Sequence, residues 1–185
     1  MNIETPHSQY HDRHNLLRYA GITFFKEKFG PHALAVTFNF NRPTSVASAR
    51  RTFGAFLARI DKHFVGKDFV KLPAQCRTNA IAVIENIDTN LHAHGFIQLP
   101  EFRVARRGDH WRLEIDDPGE RQILFTDKIE EIWAYLVPSG SIDVQDMFDK
   151  EGWAKYITKQ FSDPRVWPNV IFSAEYQPHR PKLDE

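Results

Sequence analysis

The chain has 185 residues, 42% of them apolar and 13% aromatic, which describes one folded domain over residues 1–185 rather than a disordered segment. Its 24 basic and 24 acidic residues give a formal net charge of zero, which argues against a protein that coats nucleic acid through bulk charge. The single cysteine, Cys76, excludes an internal disulfide and a cysteine zinc cluster, and no apolar run approaches the roughly eighteen residues of a membrane span.

Residues 1–7 are polar and lack the basic and apolar regions of a secretory signal, so the expected compartment is the cytoplasm, or a host cytoplasm or nucleus if the chain is viral. Residues 11–29 read as an amphipathic helix with Leu16, Leu17, Ala20, Phe24 and Phe25 at helical spacing, ended by Gly30 and Pro31. His7, His11 and His14 are spaced to meet on one helical face, although ordinary surface roles suit them better. Ala33 to Phe40 predicts a buried strand whose last residues alternate, with Thr37 and Asn39 on a shared face. Thr44 or Ser45 then caps a helix to about Phe64, whose apolar stripe is Phe53, Phe56, Leu57, Ile60 and Phe64.

Residues 78–86 form a second strand, and after a turn at Ile87 to Asn90 a strand over 91–98 returns beside it as a hairpin. A looser strand or hairpin covers 101–115, with Trp111, Leu113 and Ile115. Thr126 to Val137 has helical spacing, with Ile129, Ile132, Trp133 and Leu136 as its stripe, and Ser141 to Met147 alternates as a short strand. Gly152 to Phe161 is the last helix, and residues 170–176 add an edge strand. The order predicts an α+β fold, an antiparallel sheet with helices packed on one face, leaving the other face to work on a ligand. Residues 1–30 stand as an N-terminal helical extension and 165–185 as a C-terminal tail.

The chemistry concentrates in two places. His92 and His94 alternate with Leu91, Ala93 and Gly95, so a strand puts both imidazoles on one face as a pair of ligands for a divalent metal. Glu85, on the partner strand of the same hairpin, pairs close to His92 and supplies a carboxylate for a hard cation; Asp88 and Gln98 are alternatives for that third position. Tyr156 and Lys159, at i and i+3 on the last helix, project from one face, while Trp153, Ile157 and Phe161 anchor that helix on the sheet. A tyrosine hydroxyl is a weak nucleophile until its target is positioned and polarised, which a lysine and a metal ion can both do for a phosphodiester.

Together these motifs resemble the HUH endonuclease superfamily, in its single-tyrosine rolling-circle replication initiator group. A strand ending in polar residues is matched by Val36-Thr37-Phe38-Asn39-Phe40, the His-hydrophobic-His strand by Leu91-His92-Ala93-His94-Gly95-Phe96, and the Tyr-x-x-Lys helix by Lys155-Tyr156-Ile157-Thr158-Lys159-Gln160. Ala93 is smaller than the hydrophobe usual between the histidines. The resemblance covers residues 33 to 161. It implies a site-specific nick in single-stranded DNA, at an origin or hairpin, with Tyr156 as nucleophile retaining the 5′ phosphate and Lys159 assisting. It also implies Mg²⁺ or Mn²⁺ on His92, His94 and a third polar ligand. No Gly-x-x-x-x-Gly-Lys-Ser/Thr sequence is present, so a separate helicase is expected to open the duplex.

Thr37, Asn39, Arg50, Arg51, Arg106 and Arg107 are candidate DNA contacts, and Phe38, Phe40 and Trp111 would stack on bases if they faced the open side of the sheet. Other fates of the nick, in transposition or conjugation, remain open on the sequence. So do a non-catalytic single-strand-binding sheet and a hydrolase that uses metal-activated water.

Overall fold

The computed structural model describes residues 6–30, 32–100, 103–107, 110–114 and 118–177, with side chains described from residue 15 onward except those of 103–107, 110–114, 118–124 and 164. In chain order the elements are α1 (Pro6–Lys28), β1 (Leu34–Asn39), α2 (Val46–Phe64), β2 (Asn79–Glu85), β3 (His92–Gln98), β4 (Arg103–Arg107), β5 (His110–Glu114), α3 (Pro118–Leu136), β6 (Ser141–Asp146), α4 (Lys150–Ile157) and β7 (Val170–Phe172). Five strands form an antiparallel sheet in the order β6-β1-β3-β2-β7, and β4 and β5 pair separately as a hairpin. Because β3 lies between β1 and β2, α2 joins two strands that run the same way; α3 does likewise for β3 and β6, across β1. This doubly split βαββαβ arrangement is the ferredoxin-like form of an α+β fold. Among the described residues no helix is long and apolar enough to cross a membrane.

Alternation sorts the strand residues onto two faces. Leu34, Val36, Phe38, Ala80, Ala82, Ile84 and Ala93 meet α2 and α3, with the buried Trp133 ring 5.0 Å from Phe38 and 5.7 Å from Phe56. Ser45 caps α2, its side chain accepting from Ser48 N, and the predicted stripe Phe53, Phe56, Leu57 and Ile60 is buried. Phe38 and Phe40 belong to this core and so do not present a surface for base stacking; the Trp111 side chain lies outside the described residues.

The opposite face is not left bare, as the sequence suggested. Its middle carries Ile81, Val83 and Phe96, too apolar to leave in water, and Phe25 and Phe29 of the α1 region with Ala154 and Ile157 of α4 cover them. Phe25 and Phe29 stack on Phe96 at 5.8 and 5.0 Å. The row that α1 turns inward is therefore Gly21, Phe25 and Phe29, while Leu16 and Phe24 of the expected stripe stay 66% and 45% exposed. Apolar residues lie all round this helix, so spacing alone does not select the buried row. The expected N-terminal extension is a layer of the fold, and residues 170–172 of the expected tail are an edge strand beside β2. Residues 173–176 turn away as a 3-10 helix instead of extending that strand, and 178–185 lie outside the described residues.

Candidate metal centre and tyrosine

Beyond the apolar middle of the second face the strands become polar together. The register sets Glu85 opposite His92 in the β2–β3 hairpin, and Thr37 opposite His94 and Asn39 opposite His92 across β1–β3. Directly opposed residues share a face, so these five polar positions form one patch at the open end of the sheet. The loop between Glu85 and His92 turns through Asn86 at a positive φ of 51°, a backbone conformation asparagine tolerates.

Both imidazoles are held in a ligand-ready orientation. His92 Nδ1 donates to the Asn90 carbonyl at 2.9 Å, which leaves Nε2 with its lone pair pointing inward. His94 Nδ1 lies 2.9 Å from Thr37 Oγ1; with the hydrogen on Nδ1 and accepted by that hydroxyl, His94 Nε2 also turns a lone pair inward. Glu85 Oε2 completes the convergence, 3.8 Å from His92 Nε2 and 4.0 Å from His94 Nε2. Burial holds the His94 pKa down at about 4, with the charges of His92 and Lys159 acting the same way and Glu85 opposing them, so the ring is neutral near neutral pH.

Glu85, His92 and His94 thus form a group that could hold a metal ion, with ligand atoms all within 4.8 Å of one another. The donor set fits such a role on a second count. Glu85 is a buried carboxylate whose Oε1 has no hydrogen-bond partner among the described residues, and the cation that offsets its charge in this structure is the Lys159 ammonium on Oε2. Gln98, considered as an alternative ligand, is occupied at the far end of β3, where its Oε1 accepts from Gly30 N at 2.9 Å. Asp88 is exposed in the hairpin loop.

Tyr156 reaches the same patch from α4. Its hydroxyl is 3.2 Å from His94 Nε2, and its ring lies 4.9 Å from the His94 ring. Trp153 steadies it, stacking on the Tyr156 ring at 5.3 Å while its Nε1 donates to the Gly95 carbonyl at 3.0 Å. Lys159 Nζ is 2.7 Å from Glu85 Oε2 and 4.1 Å from the centre of the Tyr156 ring. Partial burial works against the Lys159 charge, but the hydrogen bond and charge of Glu85, with Tyr156 adding to them, outweigh it and raise its pKa.

One expectation about this segment changes. The helix runs from Lys150 to Ile157, not Gly152 to Phe161, so Lys159 is not on it. Asp149 caps its start by accepting from Gly152 N at 2.7 Å, and Thr158 ends it by turning its hydroxyl onto the Ala154 carbonyl. The i, i+3 relation of Tyr156 and Lys159 survives because the following turn closes with Lys159 N on the Tyr156 carbonyl.

The remaining expected contacts divide. Thr37 is in the patch, as a partner of His94, and Asn39 lies beside it opposite His92. Arg50 and Arg51 are not brought to it: they lie on α2, across the sheet, where Arg50 is bound to Glu175 at 2.7 Å and to the carbonyls of Pro168 and Val170. The Arg106 and Arg107 side chains lie outside the described residues. Two contributions went unread in the sequence, the Thr37 hydrogen bond to His94 and the Trp153 stack on Tyr156. The alternation of Thr37 with Asn39 was a signal for the first; the i, i+3 spacing of Trp153 and Tyr156 was one for the second. No protein-family model, curated protein or solved structure matches the chain.

Proposed function

We propose that the chain is a metal-dependent nickase and strand transferase for single-stranded DNA, with Tyr156 as nucleophile, serving rolling-circle initiation or a related nick-and-rejoin process. The observation that supports this most is the convergence of a tyrosine hydroxyl and a lysine ammonium on a histidine–histidine–carboxylate group, at 3.2 and 2.7 Å. A divalent cation held by Glu85, His92 and His94 would polarise a phosphate oxygen as a Lewis acid. Two imidazoles and one carboxylate suit Mn²⁺ better than the oxygen-seeking Mg²⁺.

In the reaction, the Tyr156 oxygen bonds to phosphorus as the bond to the 3′ oxygen breaks. The phenolic proton leaves to water, and the 3′ oxygen ends as a hydroxyl. Trp153 holds the phenol ring against rotation, Thr37 holds His94, and the Lys159 ammonium offsets the negative charge that gathers on the phosphate. The 5′ phosphate stays on Tyr156 and remains open to attack by a second 3′ hydroxyl.

The test is incubation with a random-sequence single-stranded DNA library and Mn²⁺, followed by denaturing electrophoresis. A covalent protein–DNA adduct that disappears in Tyr156→Phe and in His92→Ala is the expected result. Cleavage without an adduct would assign the site to a hydrolase using activated water. Metal-independent binding with no cleavage, unchanged in His92→Ala, would make the sheet a non-catalytic single-strand binder.

A further inference from the structure

Two of the atoms that face the centre of the Glu85–His92–His94 group already have partners, one from the end of α4 and one from the turn that follows it. Glu85 Oε2, the carboxylate oxygen lying 3.8 and 4.0 Å from the two imidazole Nε2 atoms, receives Lys159 Nζ at 2.7 Å. His94 Nε2 receives the Tyr156 hydroxyl at 3.2 Å. A nitrogen lone pair serves either a phenolic hydrogen or a metal ion, not both. An ammonium and a divalent cation on one carboxylate oxygen repel each other, strongly so where water is largely excluded.

We propose that Lys159 is a tethered counter-cation that competes with the divalent metal for Glu85. Metal loading then releases the Lys159 ammonium and the Tyr156 hydroxyl together and turns both toward a bound phosphodiester. This inference rests on the metal-dependent reading of the site given above. Its geometry favours release rather than permanent pairing. The Lys159 side chain is 36% exposed on a flexible stem, and its ammonium also lies over the Tyr156 ring at 4.1 Å. That second contact uses no ligand atom, so a lysine leaving Glu85 remains beside the nucleophile. Glu85, by contrast, is 3% exposed in its side chain and keeps a place for one cation or the other. Metal and phosphodiester therefore reinforce each other's binding, because each favours the released lysine.

The competition is read without any turnover, by titrating the purified protein with Mn²⁺ against a chelating dye. Lys159→Met, which keeps length and removes charge, is expected to bind Mn²⁺ about tenfold more tightly than wild type, a change of the size that outer partners of metal ligands exert. Lys159→Arg, which keeps the charge, is expected to stay close to wild type, and circular dichroism checks that each variant is folded. A fluorescent single-stranded oligonucleotide should bind wild type more tightly as Mn²⁺ is added, and Lys159→Met should lose that dependence. Unchanged or weaker Mn²⁺ affinity in Lys159→Met would overturn the inference and leave the metal site standing. Binding of no Mn²⁺ by either protein would overturn both.

Discussion

The Thr37 hydroxyl, 2.9 Å from His94 Nδ1, fixes which ring nitrogen faces the centre of the site. Thr37→Val keeps the β-branched shape and removes the acceptor, so Mn²⁺ affinity should fall about tenfold with the melting temperature little changed, while Thr37→Ser should retain wild-type affinity. Calorimetric titration of the three proteins checks this. His94 also gives a pH signature to metal-free protein. Unfolded, it takes up a proton near 6.5; folded, it does so only at about 4. Between those values the unfolded state binds more protons, so stability conferred by the neutral ring is present above pH 6.5 and is lost as the pH falls toward 4. Urea unfolding with chelator present should show this loss, on the order of 3 kcal/mol, and His94→Gln should flatten it. At this scale the sequence was most legible where one strand sufficed. His92 and His94 follow from alternation alone and Glu85 from a single hairpin. The role of Thr37 needed knowledge that its strand lies beside that of His94, and no local pattern states that.

The β2–β3 hairpin is built around a close approach at Gly95. A Cβ there would come within 2.0 Å of the Ile81 carbonyl oxygen, so the partner backbone leaves no space for a side chain. Gly95→Ala should force the strands apart and cost about 1–3 kcal/mol, and it should weaken metal binding, because the displaced pairing also carries Glu85 and His92. Thermal denaturation and Mn²⁺ titration of the variant give the two readouts. Among the elements, β1, α2, β2 and β3 were legible nearly to their ends because periodicity and turn residues agree there. The end of α4 was not: Thr158 can continue a helix or close one, and its hydroxyl bond to the Ala154 carbonyl accompanies the stop. The start of α3 at Pro118 lies ahead of the expected Thr126, and Phe125, one turn before Ile129, extends the stripe into the same core.

For the whole molecule, the sheet has helices on both faces, and the polar end of one face carries Glu85, His92 and His94. Phe25 lies at the join of that second layer, stacked on Phe96 and 6.0 Å from the Phe161 ring that follows α4. Phe25→Ala should cost about 3–5 kcal/mol by leaving a cavity between α1, the sheet and the end of α4. It should also loosen Tyr156, so that adduct formation falls more than DNA binding does; comparing urea unfolding, adduct yield and oligonucleotide affinity separates the effects. The α+β class was legible from the succession of elements. The strand order and the second layer were not, because both depend on contacts between residues far apart in the chain, and α1 has apolar residues on every side.

The β2–β3 hairpin also bears on the order in which the site comes into being during folding. Glu85, His92 and His94 lie within one hairpin, so bringing them together needs only the closure of a short loop, which is fast and carries little entropy cost. Tyr156 joins them only after the chain has returned through α3, β6 and α4 to the same face. Under the proposed function, a molecule partway to the native state would therefore own its metal donors before its nucleophile, and would be a binder of cations before it had any means of breaking a phosphodiester.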